Sequence, residues 1–133
     1  MTHAVSVLVH TADDIVTARQ RGRELASSAG FSNSQATIIA AAISEVARNI
    51  VEYASSGEVA IGLETDGQRT GVQVVATDCG PGISDPRALL SAPVSTGDEA
   101  GLGIPGARSL MDEFDLASRV GYGTTVTMTK WRA

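Results

Sequence analysis

The chain has 133 residues, of which 43% are hydrophobic and 4% aromatic, and a net charge of −5. This length suits one domain over residues 1–133 with an aliphatic core, and the acidic balance argues against nucleic acid or an anionic membrane as a partner. A single cysteine, Cys79, excludes an internal disulfide, and no apolar run approaches the roughly 20 residues of a membrane span, so we expect a cytoplasmic protein.

The first predicted elements are a strand and a helix. Alternating valines predict a half-buried strand over residues 4–10. Asp13 or Asp14 is expected to cap a helix that closes at Gly30. The arginines of this helix fit its solvated side, and docking of an acidic partner is the alternative interpretation.

A long helix is predicted next, from about Ser34 to Ala54, because apolar residues recur there at three- and four-residue spacing. Glu45 and Asn49 lie one turn apart beside this apolar stripe. Asparagine is a mediocre helix former in a helix interior, so its presence needs a reason. That reason is either a side-chain hydrogen bond or a metal ligand with Glu45 as a nearby base, and the residues alone leave both open.

A β-hairpin follows, with Asp66-Gly67 as its turn. Its second strand ends at Asp78, whose carboxylate is expected to project from the end of a buried strand as a specific acceptor. Two more strands, near residues 116–120 and 124–131, are predicted after a helix. The apolar residues of that helix are Ala107, Leu110, Met111 and Phe114. We therefore predict an α+β fold, a two-layer sandwich of a mixed, mostly antiparallel sheet with helices on one face.

Two glycine motifs lie between the hairpin and this last helix. Residues 78–82 read DCGPG, a tight turn that lets a flat ligand approach the backbone. Residues 101–106 read GLGIPG and are expected to precede the helix, so that free backbone N–H groups can face phosphate oxygens. Each motif alone is weak, and an ordinary turn explains the first equally well. Together they predict a nucleotide site, with the base at one loop and the phosphates at the other.

Four ordered motifs, SEVARN, DCGPG, GLGIPG and GTTVTM, resemble the ATP-binding fold shared by gyrase, heat-shock chaperones, histidine kinases and MutL. This is the GHKL or Bergerat fold. Within it, the short chain, the segment PGARSLMDEFD and the closing KW are most similar to the RsbT-type serine-protein kinases, the switch kinases of the bacterial stressosome. The resemblance implies ATP and Mg²⁺ as cofactors.

The resemblance also implies roles for single positions. Glu45 would be the catalytic carboxylate and Asn49 the Mg²⁺ ligand. Asp78 would accept a hydrogen bond from the adenine amino group, and Thr124 would contact adenine through water. The other implied nucleotide contacts are Gly80, Gly82 and Ile83 at the adenine, and Gly101, Leu102, Gly103, Ile104 and Gly106 at the phosphates.

Residues 87–102 would form a mobile lid over ATP. Asp98 and Glu99 depart from the more glycine-rich lids of relatives, and we expect both carboxylates to point outward. Arg108 is a candidate for the cation beside the transferred phosphoryl group, and a solvent-exposed helix residue is an equal alternative.

The implied function is a serine/threonine protein kinase that phosphorylates STAS-domain regulators in a stressosome-like partner-switching pathway. It would also activate a downstream phosphatase or other output protein by binding. The alternative is a non-catalytic nucleotide-binding module that acts by protein–protein contact. Glu45 and Asn49 favour the kinase, because a pure binder needs neither. The oligomeric state stays open between a monomer and a weak homodimer.

Overall fold

The computed structural model describes residues 2–83, 85, 87 and 103–132. These residues contain five strands and three helices. In chain order they are β1 Thr2–Val9, α1 Ala12–Ser28, α2 Asn33–Tyr53, β2 Gly57–Asp66, β3 Arg69–Asp78, α3 Gly103–Leu110, β4 Glu113–Arg119 and β5 Gly123–Trp131. Within this described part of the chain, no helix has both the length and the apolar character needed to cross a membrane.

The five strands form one sheet in the order β1-β2-β3-β5-β4. Each neighbouring pair is antiparallel, so the predicted α+β sandwich is confirmed with antiparallel pairing throughout the described strands rather than a mixed sheet. β5 lies between β3 and β4 although it follows both in the sequence. This order places Asp78, the last residue of β3, opposite Thr124 on β5.

The core lies between the sheet and the helices α1 and α2. Alternate strand residues, such as Val59 and Ile61 on β2 and Val74 on β3, are fully buried against the helices. The predicted apolar stripe of α2 packs into the same core, with Ile39 and Ile43 fully buried. Burial of each such side chain contributes about 1.5–3 kcal/mol, so this layer fixes the position of α2 over the sheet.

The start of α1 differs from the prediction, because Thr11 rather than Asp13 or Asp14 is the N-cap. Asp14 is the third helical residue, and its carboxylate accepts the backbone N–H groups of His10 at 2.9 Å and Thr11 at 3.0 Å. The side chain of Asp14 thus reaches back along the chain and satisfies two backbone donors that precede the first turn of the helix. Gly30 has φ 88° just beyond the helix end, as predicted for a closing glycine.

The hairpin turn lies one residue later than predicted. Asp66 pairs with Arg69, so the two-residue turn is Gly67-Gln68 rather than Asp66-Gly67. Gly67 has φ 61°, the left-handed backbone that such turns require at a central position.

Phe114 was predicted on the last helix and lies instead in β4. The helix α3 ends at Leu110, and the backbone N–H of Asp112 already donates to the Thr129 carbonyl of β5 at 3.0 Å. Phe114 follows Leu110 at helical spacing but also alternates with Leu116 at strand spacing. Pairing with β5 selects the strand.

Candidate functional site

A cavity of about 490 Å³ lies where the end of α2, the end of β3 and the start of α3 meet. Ligand pockets commonly have volumes of about 300–1000 Å³, so it is large enough for a small molecule. Its lining includes the predicted site residues Asn49, Asp78, Gly82, Ile83, Gly103, Ile104 and Thr124. The other lining residues are Tyr53, Ala54, Pro81 and Pro105, of which the two prolines belong to the predicted glycine motifs and Tyr53 and Ala54 were not predicted.

Asp78 is the buried acidic group of this cavity, with 8% of the residue exposed. Its Oδ1 accepts the backbone N–H groups of Gly80 at 2.9 Å and Thr124 at 3.2 Å. In the described part of the chain, every buried side-chain oxygen and nitrogen has a partner, and no described hydrogen bond reaches Oδ2 of Asp78. This second oxygen is therefore accessible as an acceptor for a ligand that contacts Asp78.

The loop after β3 is wedged between two neighbouring segments. A Cβ on Gly80 would lie 2.6 Å from the Cβ of Ala54, and a Cβ on Gly82 would lie 2.4 Å from the carbonyl oxygen of Arg119. Gly82 also has φ 82°. The tight turn predicted from DCGPG is thus confirmed, and both glycines are needed for close backbone approach.

A hydroxyl pair ties this loop to the sheet. The hydroxyl oxygens of Ser118 and Thr124 lie 2.8 Å apart, and the backbone N–H of Ile83 donates to Ser118 at 2.7 Å. Ser118 was predicted only as a strand residue. Its signal in the sequence is a polar side chain on the same strand face as Phe114 and Leu116, where an apolar residue is expected.

The α2 face above the cavity carries Asn49 and Glu45 one turn apart. Asn49, the predicted Mg²⁺ ligand, is half-buried and lines the cavity. Glu45 is buried, and its Oε2 accepts the backbone N–H of Gly103 at 2.7 Å. Its Oε1 forms an ion pair with Arg48, a partner that the sequence analysis did not propose although it lies three residues away on the same helix.

The second glycine motif differs in part from its prediction. α3 already begins at Gly103, so Gly103 and Gly106 belong to the helix rather than preceding it, and Gly106 is buried. Pro105 lies in the first turn, where a proline is tolerated because its missing N–H would have no intrahelical partner. Residues 88–102 of the predicted lid lie outside the described residues. They include Asp98, Glu99, Gly101 and Leu102.

Arg108 does not lie at the start of α3. It is exposed in the last turn of that helix, and the described lining of the cavity does not include it. Its role near a phosphoryl group stays a prediction.

Residues 8–130 match the family described as Histidine kinase-like ATPase domain, and the chain belongs to this family. It is 43% identical over 125 residues to the serine/threonine-protein kinase RsbT of Bacillus subtilis (strain 168), and the match covers 94% of each chain. This places the chain among the serine/threonine-protein kinases of the family.

Two solved structures show the same fold. The RsbU and RsbW domains of Rv1364c from Mycobacterium tuberculosis match 98% of this chain with a TM-score of 0.62 and 24% identity, and this chain spans 34% of that longer one. The mycobacterial sensor histidine kinase MprB matches 96% of this chain and 98% of its own, with a TM-score of 0.53 and 16% identity. These likenesses confirm the predicted fold.

Proposed function

We propose that the chain is a cytoplasmic single-domain kinase that uses ATP and Mg²⁺ to phosphorylate serine or threonine on STAS-domain regulators. The pathway would be a stressosome-like partner switch, in which the kinase also activates a downstream phosphatase or other output protein by binding it. The observation that carries this proposal is the buried Asp78 carboxylate in the cavity, one oxygen held by two backbone N–H groups and the other accessible. The identity to RsbT supports the reaction type.

Asp78 has the chemistry that adenine recognition needs. A carboxylate accepts hydrogen bonds only, and the adenine amino group donates them. Because Gly80 and Thr124 hold Oδ1, the carboxylate cannot rotate freely, and Oδ2 keeps a fixed direction for the base. The tight loop at Gly82 adds a flat backbone wall beside it.

Asn49 is the residue proposed to hold Mg²⁺. Its side-chain oxygen suits this ion, which prefers oxygen ligands and is usually completed by phosphate oxygens and water. Asn49 lines the same cavity as Asp78 and Gly103, so the residues present fit a nucleotide with its base at Asp78 and its phosphates toward α3. When bound, Mg²⁺ would neutralise phosphate charge during transfer.

Glu45 is proposed to accept the proton of the incoming hydroxyl. Its Oε2 accepts the N–H of Gly103, and a substrate hydroxyl would be accepted either by the remaining lone pair of this oxygen or in exchange for that hydrogen bond. The same contact favours the second candidate function, a non-catalytic module that binds nucleotide and acts through protein contact. In that case Glu45 would only fasten α3 to α2.

Phosphoryl transfer separates the two functions. The protein is mixed with candidate STAS proteins and labelled Mg-ATP, and label is expected on serine or threonine of one of them. In Glu45→Ala, transfer at saturating ATP and substrate should fall by about 10² to 10⁴, the usual contribution of a general base, while ATP binding persists. Wild-type transfer in this variant would show that Glu45 is not the base, whereas ATP binding without transfer by the wild-type protein would favour the binding module.

Asn49→Ala tests the metal assignment. Loss of its oxygen should abolish Mg²⁺-dependent nucleotide use, while the fold persists because Asn49 is only half-buried. Asn33→Ala, at the exposed start of the same helix, is the matched control. ATP titrations with and without Mg²⁺ measure the effect, and equal Mg²⁺ dependence in both variants would contradict the assignment.

A further inference from the structure

We propose that Arg48 is a positioning residue for phosphoryl transfer, which acts by orienting the Glu45 carboxylate. This inference rests on the proposed kinase function and deepens it, because it gives a role to a residue outside the cavity lining. Arg48 lies where α2 meets the start of α3, and its contact with Glu45 there suggests this role.

The Glu45 carboxylate is held at both oxygens. Arg48 forms an ion pair with Oε1, and the backbone N–H of Gly103 donates to Oε2 at 2.7 Å. The side chain of Glu45 is 9% exposed and that of Arg48 is 34% exposed. Two contacts from different elements fix the plane of the carboxylate, since a single contact would allow it to turn about its own axis.

Arg48 is the contact that persists through the reaction. If Oε2 takes a proton from a hydroxyl, its hydrogen bond with the N–H of Gly103 on α3 is weakened or exchanged. The ion pair of Oε1 with Arg48 lies within α2, so it does not depend on the position of α3. Its permanent charge also offsets the cost of burying a carboxylate, which is large for an unpaired ion.

A second pair with the same spacing shows that the environment, and not the spacing, distinguishes Arg48. Arg21 and Glu24 on α1 are also three residues apart, with a separation of 3.9 Å and side chains 52% and 73% exposed. Exposed pairs of this kind contribute little to stability or geometry. Arg21 therefore serves as a matched control.

The test compares Arg48→Gln, Arg48→Lys and Arg21→Gln in transfer from Mg-ATP to a STAS substrate. Arg48→Gln should lower the transfer rate constant at saturation roughly ten- to hundredfold, since small misplacements of a reacting group cost up to about 10²-fold. ATP affinity, measured by direct titration, should not change. Arg48→Lys keeps the charge and should recover part of the rate, whereas Arg21→Gln should match the wild type.

A double-mutant cycle shows whether Arg48 acts through Glu45. In the Glu45→Gln background, Arg48→Gln should cause no further loss of rate. Wild-type transfer in Arg48→Gln, or losses that multiply in the double variant, would overturn the inference.

Failure of the proposed function would look different. If the wild-type protein labels no STAS protein, the kinase proposal fails. The four proteins of the double-mutant cycle, which are the wild type, Glu45→Gln, Arg48→Gln and the double variant, are then compared by urea unfolding. Non-additive midpoints would show that Arg48 holds Glu45, and additive midpoints would overturn that contact independently of activity.

Discussion

The two ends of the cavity are built in different ways. At the strand end, Asp78 and Thr124 lie on adjacent strands, and Gly80 and Gly82 press backbone against backbone. At the helix end, Asn49 projects from α2, and Glu45 reaches 58 positions along the chain to the N–H of Gly103. The strand end is held by a sheet, and the helix end is held by side chains.

Under the proposed function, this difference would separate the place that recognises the base from the place where the phosphoryl group reacts. Close-packed backbone has no room to adapt, so the strand end suits a rigid, flat group such as a base. A carboxylate that can exchange one hydrogen bond suits a place where groups arrive and leave. We therefore expect substitutions at the strand end to cost stability or affinity for the base, and substitution of Glu45 at the helix end to cost mainly rate.

Gly82→Ala should have the largest effect on stability. Its φ of 82° is costly for alanine, about 1–3 kcal/mol, and the added Cβ meets the Arg119 carbonyl at 2.4 Å, which adds about 1–3 kcal/mol of overpacking. Gly67→Ala is the control, because Gly67 has φ 61° but no atom of the described residues lies within 4 Å of the added Cβ. Urea unfolding measures both, and equal losses would mean that the loop can move aside.

Asp78→Asn should weaken ATP binding while leaving the fold stable. The amide oxygen can still accept the N–H groups of Gly80 and Thr124, but the NH₂ group then faces the adenine amine. The loss of one charge-assisted bond costs about 1.5–3 kcal/mol, or roughly ten- to hundredfold in affinity. Asp115→Asn, exposed on β4, should bind ATP normally. An unchanged titration for Asp78→Asn would contradict the adenine assignment.

Gly103→Ala should have a smaller effect on stability, about 1–2 kcal/mol, although it lies at the same cavity. Its φ is 69°, but among the described residues the nearest atom to an added Cβ is Pro105 Cδ at 3.8 Å. The N–H that Glu45 accepts is retained. A loss as large as that of Gly82→Ala, measured by urea unfolding, would show that the helix end is packed as tightly as the strand end.

The smallest effect is expected at Asp14, which accepts two backbone N–H groups as Asp78 does but in exposed surroundings. The N–H groups of Thr11 and His10 hold the pKa of the Asp14 carboxyl below its ordinary value. A lowered folded-state pKa means that the stabilisation is complete above the unfolded value, about 3.9, and is lost as the pH falls through the folded one. Asp14→Asn should therefore be less stable than the wild type at pH 7 and equally stable at low pH. A difference in stability between Asp14→Asn and the wild type that persists at low pH would show that the ionised carboxylate is not its cause.

The sequence predicted the layers of the fold because its apolar periods are long and consistent. It failed where two patterns overlap, as at Phe114, whose spacing fits both a helix with Leu110 and a strand with Leu116. It also placed the α1 cap on Asp13 or Asp14. Thr11 and Asp14 are both residue types that cap helices, and only the structure shows that Thr11 is the N-cap and that Asp14 accepts the N–H of Thr11 from inside the helix.

For the site, the sequence motifs indicated residues that the fold brings to one cavity, such as Asn49 and Asp78, and their roles stay predictions. It could not predict contacts between distant segments. Nothing in the order of residues indicates that Glu45 meets the N–H of Gly103, or that Ser118 meets Ile83 and Thr124. These contacts follow from the packing of α3 against α2 and from the position of β5 between β3 and β4 in the sheet.

That place of β5 has a kinetic consequence. β2 and β3 are joined by a two-residue turn and can pair locally, whereas Asp78 meets Thr124 across 46 positions of sequence. A ligand that bridges β3 and β5 can bind only after the distant strand has inserted, late on the folding route. We expect saturating ATP to slow unfolding in a stopped-flow experiment and to leave the refolding rate nearly unchanged. The nucleotide would then stabilise the sheet after β3 and β5 have paired and would take no part in nucleating it.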